Sequence, residues 1–376
     1  MIFLDNASTT IVDKDCQEIC NKYYFEEFYN PSAMYHSSIV VKNSINDARK
    51  TILKALHAND GDIIFTASGS EANNLALLGT KKQKGSKIII SASEHPAIYN
   101  TALELKQRGY EIVEAEVDLV GRVKIDEFAK IMDKDVSMVS IMYVNNETGC
   151  INDIKKLCEI AKSINPNVIF HTDAIQATAK IDINIRNLGI DLLSMSGHKF
   201  HSPKGIGALY VTRNINLRPI IFGGGQENGI RSATENVAGI MCMAHQLDKL
   251  SRKIESNYNQ VKSLKNSLVQ NLDKNNYFVV SDDDCSPYIL CVAMKFVRGE
   301  VMLHSLEKYG IMIGTGSACS SQKSSKRIPR LFQLLPEYEK GIIRVSFDDK
   351  TTKEDIEYFI KQLNLEYSLL VKYMRG

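Results

Sequence analysis

From about residue 62 onward, short apolar runs alternate with amphipathic stretches. The runs Asp62–Thr66, Lys87–Ser91, Glu111–Glu116, Val136–Val144, Val168–Thr172, Asp191–Ser196 and Ile206–Val211 are rich in β-branched and apolar residues and read as strands. Between them the spacing predicts helices near 71–84, 96–108, 125–132, 153–164 and 177–189. Strands alternating with helices predict an α/β fold with a mostly parallel sheet flanked by helices. A longer amphipathic region over 232–273 predicts a helical link. After it come strands around 288–297 and 342–347 with helices near 299–309 and 353–374, the pattern of a smaller α+β unit. There is no internal repeat.

Length adds to this picture. With 376 residues and roughly 150 residues per domain, two domains are expected. We place a large domain at 12–255 and a small one at 1–11 plus 256–376. The charge balance of 46 Lys+Arg against 44 Asp+Glu leaves +2, which gives no general electrostatic case for nucleic acid or a membrane. No apolar run approaches the roughly 18 residues of a membrane span. Met1-Ile2-Phe3-Leu4-Asp5 meets an acid too early for a signal peptide. With eight cysteines and no export signal, reduced thiols and a cytoplasmic location are expected.

The cysteines divide by context. None shows the C-x-x-C spacing of a zinc ribbon, and no metal is expected. Cys16 and Cys20 share a face of a short helix. Cys158, Cys242 and Cys291 sit among apolar neighbours and read as core, while Cys150 and Cys285 lie near turns. Cys319 differs: Gly314-Thr315-Gly316-Ser317-Ala318-Cys319-Ser320-Ser321 is small and polar, and Lys323 and Lys326 follow. Nearby cations favour the thiolate, the reactive form of the side chain. A chance surface cysteine is the alternative reading.

In open α/β sheets, ligands bind beyond the carboxyl ends of the strands. Ser68-Gly69-Ser70 follows the first strand run and Glu94-His95-Pro96 the second. Asn145-Asn146-Glu147, Asp173 with Gln176, and Ser196-Gly197-His198-Lys199 follow three others. A serine-rich turn at a helix start suits an anion, and equally suits an ordinary helix cap. A partly desolvated lysine can form a Schiff base. An aspartate can keep a pyridinium nitrogen protonated. Together these are the parts of a pyridoxal phosphate site, and they do not fix the reaction.

The motifs LDNASTT (Leu4–Thr10), YNPSAMYH (Tyr29–His36), SEHPAI (Ser93–Ile98), VNNETG (Val144–Gly149) and HTDAIQ (His171–Gln176) run along the chain in this order. They continue as SGHKFHSPKGIGALY (Ser196–Tyr210), GGGQENGIRSATENVAGI (Gly223–Ile240), GSACSS (Gly316–Ser321) and IRVSF (Ile343–Phe347). In this set the chain resembles the cysteine desulfurases of the NifS/IscS type, in the class V aminotransferase group of fold-type I pyridoxal phosphate enzymes. The GSAC segment is similar to the group with a long catalytic loop, about 314–328 here.

The resemblance implies a role for each matching residue. Lys199 carries pyridoxal 5'-phosphate and Asp173 pairs with its ring nitrogen. Gln176 and Asn146 bond the side of the ring hydroxyl, and His95 stacks on the ring as an acid/base. Ser70, Ser196 and His198 bind the phosphate, with Gly69 in the same turn, and Thr234 reaches the phosphate of a second subunit in a homodimer. Arg344 clamps the carboxylate of L-cysteine, assisted by Asn30 and Asn146. Cys319 attacks the substrate sulfur, keeps it as a persulfide, and passes it to an acceptor protein of iron–sulfur cluster assembly or tRNA thiolation. Alanine leaves.

The chain departs from the family pattern in places. Asn228 stands where the family usually has Arg, Ala233 where it has Gly, and His201-Ser202 where Tyr-Gly is common. After GSACSS the chain reads Gln322-Lys323-Ser324-Ser325-Lys326-Arg327-Ile328-Pro329, and it stops at Gly376, short of the tail with which some members dock a scaffold. Lys323, Lys326, Arg327 and Arg330 read as a solvated loop or as a docking face for an acidic acceptor. Two other functions fit parts of the pattern. One is a selenocysteine lyase or another class V enzyme, which Cys319 would discriminate. The other is a sulfur-relay scaffold that has lost catalysis, against which Lys199, Asp173 and Cys319 are all present.

Overall fold

The structure is a computed structural model, described for residues 1–58, 60–315 and 334–374. In chain order its elements are β1 (Ile2–Leu4), α1 (Asp15–Asn21), α2 (His36–Ala55), β2 (Asp62–Thr66), α3 (Gly69–Gly79), β3 (Lys87–Ser91), α4 (Pro96–Gln107), β4 (Glu111–Ala115) and α5 (Ile125–Ile131). There follow β5 (Val136–Ser140), α6 (Ile154–Ile164), β6 (Ile169–Asp173), α7 (Ile185–Leu188), β7 (Leu192–Ser196), β8 (Gly207–Val211), α8 (Val237–Ser251) and α9 (Ile254–Gln270). The chain closes with β9 (Tyr277–Val279), β10 (Ile289–Met294), α10 (Gly299–Glu307), β11 (Ile311–Ile313), β12 (Ile342–Ser346) and α11 (Lys353–Met374).

Seven strands form the main sheet in the order β2-β8-β7-β6-β5-β3-β4. Strand β8 runs opposite to the other six. Side chains alternate across a strand, so Ile63 and Phe65 join the core under α2, α6 and α8, while Ile64 faces the core of α3 and α4. Ile89 likewise opposes Ile88 and Ile90. Because helices cover both faces, β7 and β8 are buried along their whole length, which is why they read as continuous apolar runs. A buried histidine bridges three strands: His171 Nδ1 lies 2.8 Å from Ser140 Oγ and Nε2 lies 2.9 Å from Ser194 Oγ. Burial pushes its pKa down to about 3, so the ring is neutral.

The small unit has β10 paired antiparallel to β9 and β12, and β1 parallel to β11. Its core collects Leu4 and Ala7 from the N-terminus with Val261, Leu264, Leu290, Val345 and Phe359.

Three expectations need correction. The stretch 177–189 is helical only over Ile185–Leu188. Ala179 takes φ 63°, a left-handed conformation that no glycine announces and that stops a helix. The region 232–273 holds two helices, broken at Arg252–Lys253, where Lys253 leaves helical geometry at φ −123° and ψ 8°. The strand expected over Val136–Val144 ends at Ser140; beyond it, Asn145 Oδ1 accepts from the amides of Glu147 and Thr148 and turns the chain. Helix α2 and the three-residue strands β1, β9 and β11 were not anticipated.

Candidate active site

Because β2, β3, β5, β6 and β7 run in one direction, their carboxyl ends share one edge of the sheet. Each end is followed by a side chain fixed by local bonding. After β2, Ser68 Oγ caps α3 by accepting from Glu71 N at 3.2 Å, while Glu71 Oε2 accepts from Ala67 N at 2.9 Å, a reciprocal capping arrangement. Gly69 packs so closely that a Cβ there would overlap Ile175 Cδ1. Gly207 of β8 lets that strand reach the same turn, since its Cβ would lie 2.5 Å from the Ser68 carbonyl carbon. After β3, His95 caps α4, its Nδ1 accepting from Ala97 N at 3.1 Å, and Pro96 occupies the first helical turn.

Asp173 ends β6. Its Oδ2 accepts from Asn73 Nδ2 at 2.7 Å and its Oδ1 from Ile175 N at 3.0 Å. Among the described residues no cation is in ion-pair contact with it. Burial raises its pKa, against the pull of His95 and Lys199, and burial lowers that of His95. After β7, the turn Gly197–Lys199 presents His198 and Lys199. The Lys199 Nζ donates to the carbonyls of Ala7 and Ser8, both at 2.7 Å. His198 Nδ1 lies 3.1 Å from Thr9 Oγ1, and burial, reinforced by Lys199, pushes its pKa down to about 4.

Arg344 comes from β12 of the small unit. Its Nη1 donates to Asn146 O at 2.8 Å, and its Nη2 pairs with Asp5 Oδ1 at 2.9 Å. Glu147 Oε1 is 3.6 Å from Nη1. Ser68, Gly69, His95, Asp173, His198, Lys199 and Arg344 line one cavity of about 160 Å³, together with Met142, Val144 and Ile175. A buried carboxylate, a lysine, a capped serine turn and a guanidinium around a partly apolar slot suit a flat, anionic, nitrogen-bearing ligand and a small carboxylate beside it.

The aminotransferase class-V family model matches residues 2–359. A cysteine desulfurase IscS from Dictyoglomus turgidum is 36% identical, over 96% of this chain and 93% of its own. The cysteine desulfurase NifS of Azotobacter vinelandii is 32% identical, over 96% and 91%. The chain belongs to the class V aminotransferase family, in its cysteine desulfurase branch. A solved NifS-like protein superposes with a TM-score of 0.92 at 31% identity, covering 98% of this chain and 100% of that one. A structure described as SspA in complex with cysteine superposes at 0.80 with 27% identity, covering 94% and 100%.

In this class V chain, ten of the residues expected at the site line the cavity together: Gly69, Ser70, His95, Asn146, Asp173, Gln176, Ser196, His198, Lys199 and Arg344. Asn30 and Thr234 do not line it. Both are exposed, and Asn30 Oδ1 accepts from Ser32 N in a local turn. Cys319 and the basic residues after it lie outside the described residues. Sequence reasoning missed Asn73, Asp5 and Glu147. Asp5 and Glu147 stood inside the quoted motifs, a signal that was available; Asn73 looks like any polar residue of a helix.

The departure at His201 is accommodated by its own contacts. Its Nδ1 lies 2.8 Å from Ile11 O and its Nε2 3.2 Å from Asp349 Oδ1. Cys16 and Cys20 do lie on α1, and Cys20 Sγ is 3.7 Å from Cys242 Sγ. Cys150, Cys158, Cys242, Cys285 and Cys291 are buried. No helix among the described residues is long and apolar enough to cross a membrane.

Proposed function

We propose that this chain is a pyridoxal-phosphate-dependent cysteine desulfurase, converting L-cysteine to L-alanine and leaving the sulfur as a persulfide on Cys319. The observation that carries the reading is that Asp173 and Lys199 line one cavity. Asp173 is a buried carboxylate with no ion-pair partner among the described residues, and a protonated ring nitrogen is the cation it lacks. The residues fit the cofactor in two further ways. The glycines at 69 and 207 let Ile175 and β8 pack closely on the Ser68–Ser70 turn, and α3 begins there, which suits a phosphate.

Pyridoxal phosphate, when bound, supplies an electrophilic carbon for the substrate amine and a sink for the electrons released at Cα. The chain's own residues do the rest. Lys199 holds the cofactor and takes or returns a proton at Cα. Asp173 keeps the ring nitrogen charged. Asn73 Nδ2 and the Ile175 N–H hold the carboxylate in orientation for that role. Arg344 offers a planar fork to the substrate carboxylate. His95, kept neutral by burial, is able to accept a proton near the ring. The Cys319 thiolate attacks the substrate sulfur: the new S–S bond forms, the C–S bond breaks, and its electron pair takes up a proton as alanine. The persulfide then passes to an acceptor of iron–sulfur assembly or tRNA thiolation.

The division into a large unit at 12–255 and a small unit at 1–11 plus 256–376 is supported by the segregation of their cores. A homodimer is supported by large apolar side chains left exposed near the start of α2, among them Phe25, Phe28, Met34 and Tyr35. The deciding experiment mixes the purified chain, loaded with pyridoxal phosphate, with L-cysteine and a thiol acceptor. Alanine and sulfide are expected in equal amounts. Cys319→Ala should stop both while keeping the bound chromophore. Absence of alanine with the wild-type chain would overturn the reading.

A further inference from the structure

Lys180 is a buried lysine beside the cavity that the chemistry above does not use. Its side chain is almost fully enclosed. The Nζ donates to Gln176 Oε1 at 3.1 Å and lies 5.9 Å from the Tyr288 ring centroid. On the other side of the same amide, Gln176 Nε2 donates to Ala7 O at 2.8 Å. An ammonium can only donate and a carbonyl can only accept. The orientation of the Gln176 amide is therefore dictated by its two partners, with no ambiguity between its oxygen and nitrogen. The oxygen is taken by Lys180. Of the two amide hydrogens one goes to Ala7, and the other remains for the cavity that Gln176 lines.

The backbone supports the arrangement at a cost. Ala179, immediately before Lys180, holds φ 63°, a conformation that costs a non-glycine residue roughly 1–2 kcal/mol. The Lys180 amide then bonds back to Ala177 O at 3.0 Å. Strain of this kind persists where the surroundings over-determine it and points to a role for the residue it places. The charges facing Lys180 are Lys199 and Arg344, which oppose its proton, and Asp348, which favours it. With burial as the main cause, its pKa falls to about 7. Both the ammonium and the neutral amine carry an N–H, so the bond to Gln176 survives titration.

We propose that Lys180 is a positioning residue: by occupying the carbonyl oxygen of Gln176, it turns the Gln176 amide N–H toward the cavity as a donor to the ring oxygen of bound pyridoxal phosphate. This rests on the cofactor reading given above. Were Lys180 absent, Ala7 O alone would hold the amide, and the N–H facing the cavity would be fixed less firmly.

The test is binding of pyridoxal phosphate, and of its analogue lacking the ring hydroxyl, to the full-length chain freed of cofactor. Equilibrium dialysis reads the two affinities without turnover. The wild type should prefer pyridoxal phosphate. Lys180→Met should lower that preference about fivefold, the worth of one hydrogen bond, and leave binding of the analogue unchanged. Gln176→Leu should do the same, and the double variant should lose no more than either single one. Lys180→Gln, which keeps a donor, should recover part of the preference. If the methionine variant does not fold, Lys180→Ala carries the same comparison. An unchanged preference in the apolar variant, equal losses for both compounds, or additive losses in the double variant would overturn the role of Lys180 alone. A wild-type chain that binds neither compound would overturn the cofactor reading, and this inference with it.

Discussion

Replacing Glu147 by glutamine should stabilise the folded chain above neutral pH and change it little in acid. Glu147 Oε1 accepts from Asn146 Nδ2 at 3.0 Å and lies 3.6 Å from Arg344 Nη1. Burial pushes its pKa from an ordinary 4.5 up to about 7; Asp5 adds to the rise, while Arg344, Lys199 and Asn146 oppose it. The folded chain thus keeps a proton on Glu147 that the unfolded chain has already released. Between those two values the folded state binds more protons, so stability falls as pH rises through the window. Each pH unit across that window is worth about 1.4 kcal/mol. The loss is then about 1 kcal/mol at pH 5 and about 3 kcal/mol at pH 8, on the same linkage.

Glu147→Gln keeps the shape and removes the titration. Its advantage over the wild type should grow by about 2 kcal/mol between pH 5 and pH 8. Unfolding entropy of roughly 2.1 cal/mol/K per residue over 376 residues gives about 0.8 kcal/mol/K. The difference in Tm between variant and wild type should therefore widen by about 3 °C. Scanning calorimetry of the full chain without added ligand, at the two pH values, measures it. A difference that stays constant, or that shrinks toward pH 8, would refute the argument. It would mean that Glu147 is ionised in the folded chain and that its attraction to Arg344 outweighs its burial.

Gly207→Ala places a Cβ 2.5 Å from the Ser68 carbonyl carbon and 2.6 Å from its oxygen. Backbone cannot yield there as a side chain would, so urea unfolding should show a loss of about 1–3 kcal/mol, with weaker binding of pyridoxal phosphate. Asn73→Ala removes the donor that sits 2.7 Å from Asp173 Oδ2. It should cost about 1–3 kcal/mol in the same assay and slow alanine formation through kcat more than through KM. Arg49 grips Glu227 with Nη1 and Nη2, at 2.7 and 2.6 Å, and Glu227 Oε2 also accepts from Phe65 N at 2.9 Å. Arg49→Met should leave that carboxylate buried without its charge partner and cost about 3–5 kcal/mol; a loss below about 1 kcal/mol, read by the same denaturation, would show the pair to be dispensable.

Much of the site was legible in the sequence for one physical reason. Strands buried on both faces write themselves as continuous apolar runs, and the first polar residue after each run marks its carboxyl end. Ser68–Ser70, His95, Asn146, Asp173 and Lys199 stand at such ends, and all of them line the cavity. The partners of these residues were less legible. Asn73 supports Asp173 from inside α3, 100 residues away in sequence, and nothing in a helical pattern distinguishes a polar residue that faces a buried carboxylate from one that faces water. Asp5 and Arg344 are 339 residues apart; the bridge of Asp5 to Ser346, the last residue of β12, and the bonds of Asn6 and Ala7 to the same serine bring them together. The turn at Ala179 was invisible, because its left-handed backbone is carried by an alanine.

These hidden contacts have something in common. Asp5 and Arg344 join the N-terminal segment to β12, Asn146 O and Glu147 join the large sheet to the same guanidinium, and Ala7 accepts from both Lys199 and Gln176. Each is a bond between parts of the chain that local pattern treats as independent. A sheet edge supplies the reactive side chains, but it does so as a row of separate ends. What turns the row into a single cavity is the segment after β1, whose backbone carbonyls and one carboxylate tie Lys199, Gln176 and Arg344 to one another. The geometry of that segment should therefore govern the site as a whole: a change that displaces Ala7 moves the lysine and the amide together, whereas a change at any one strand end moves only its own side chain.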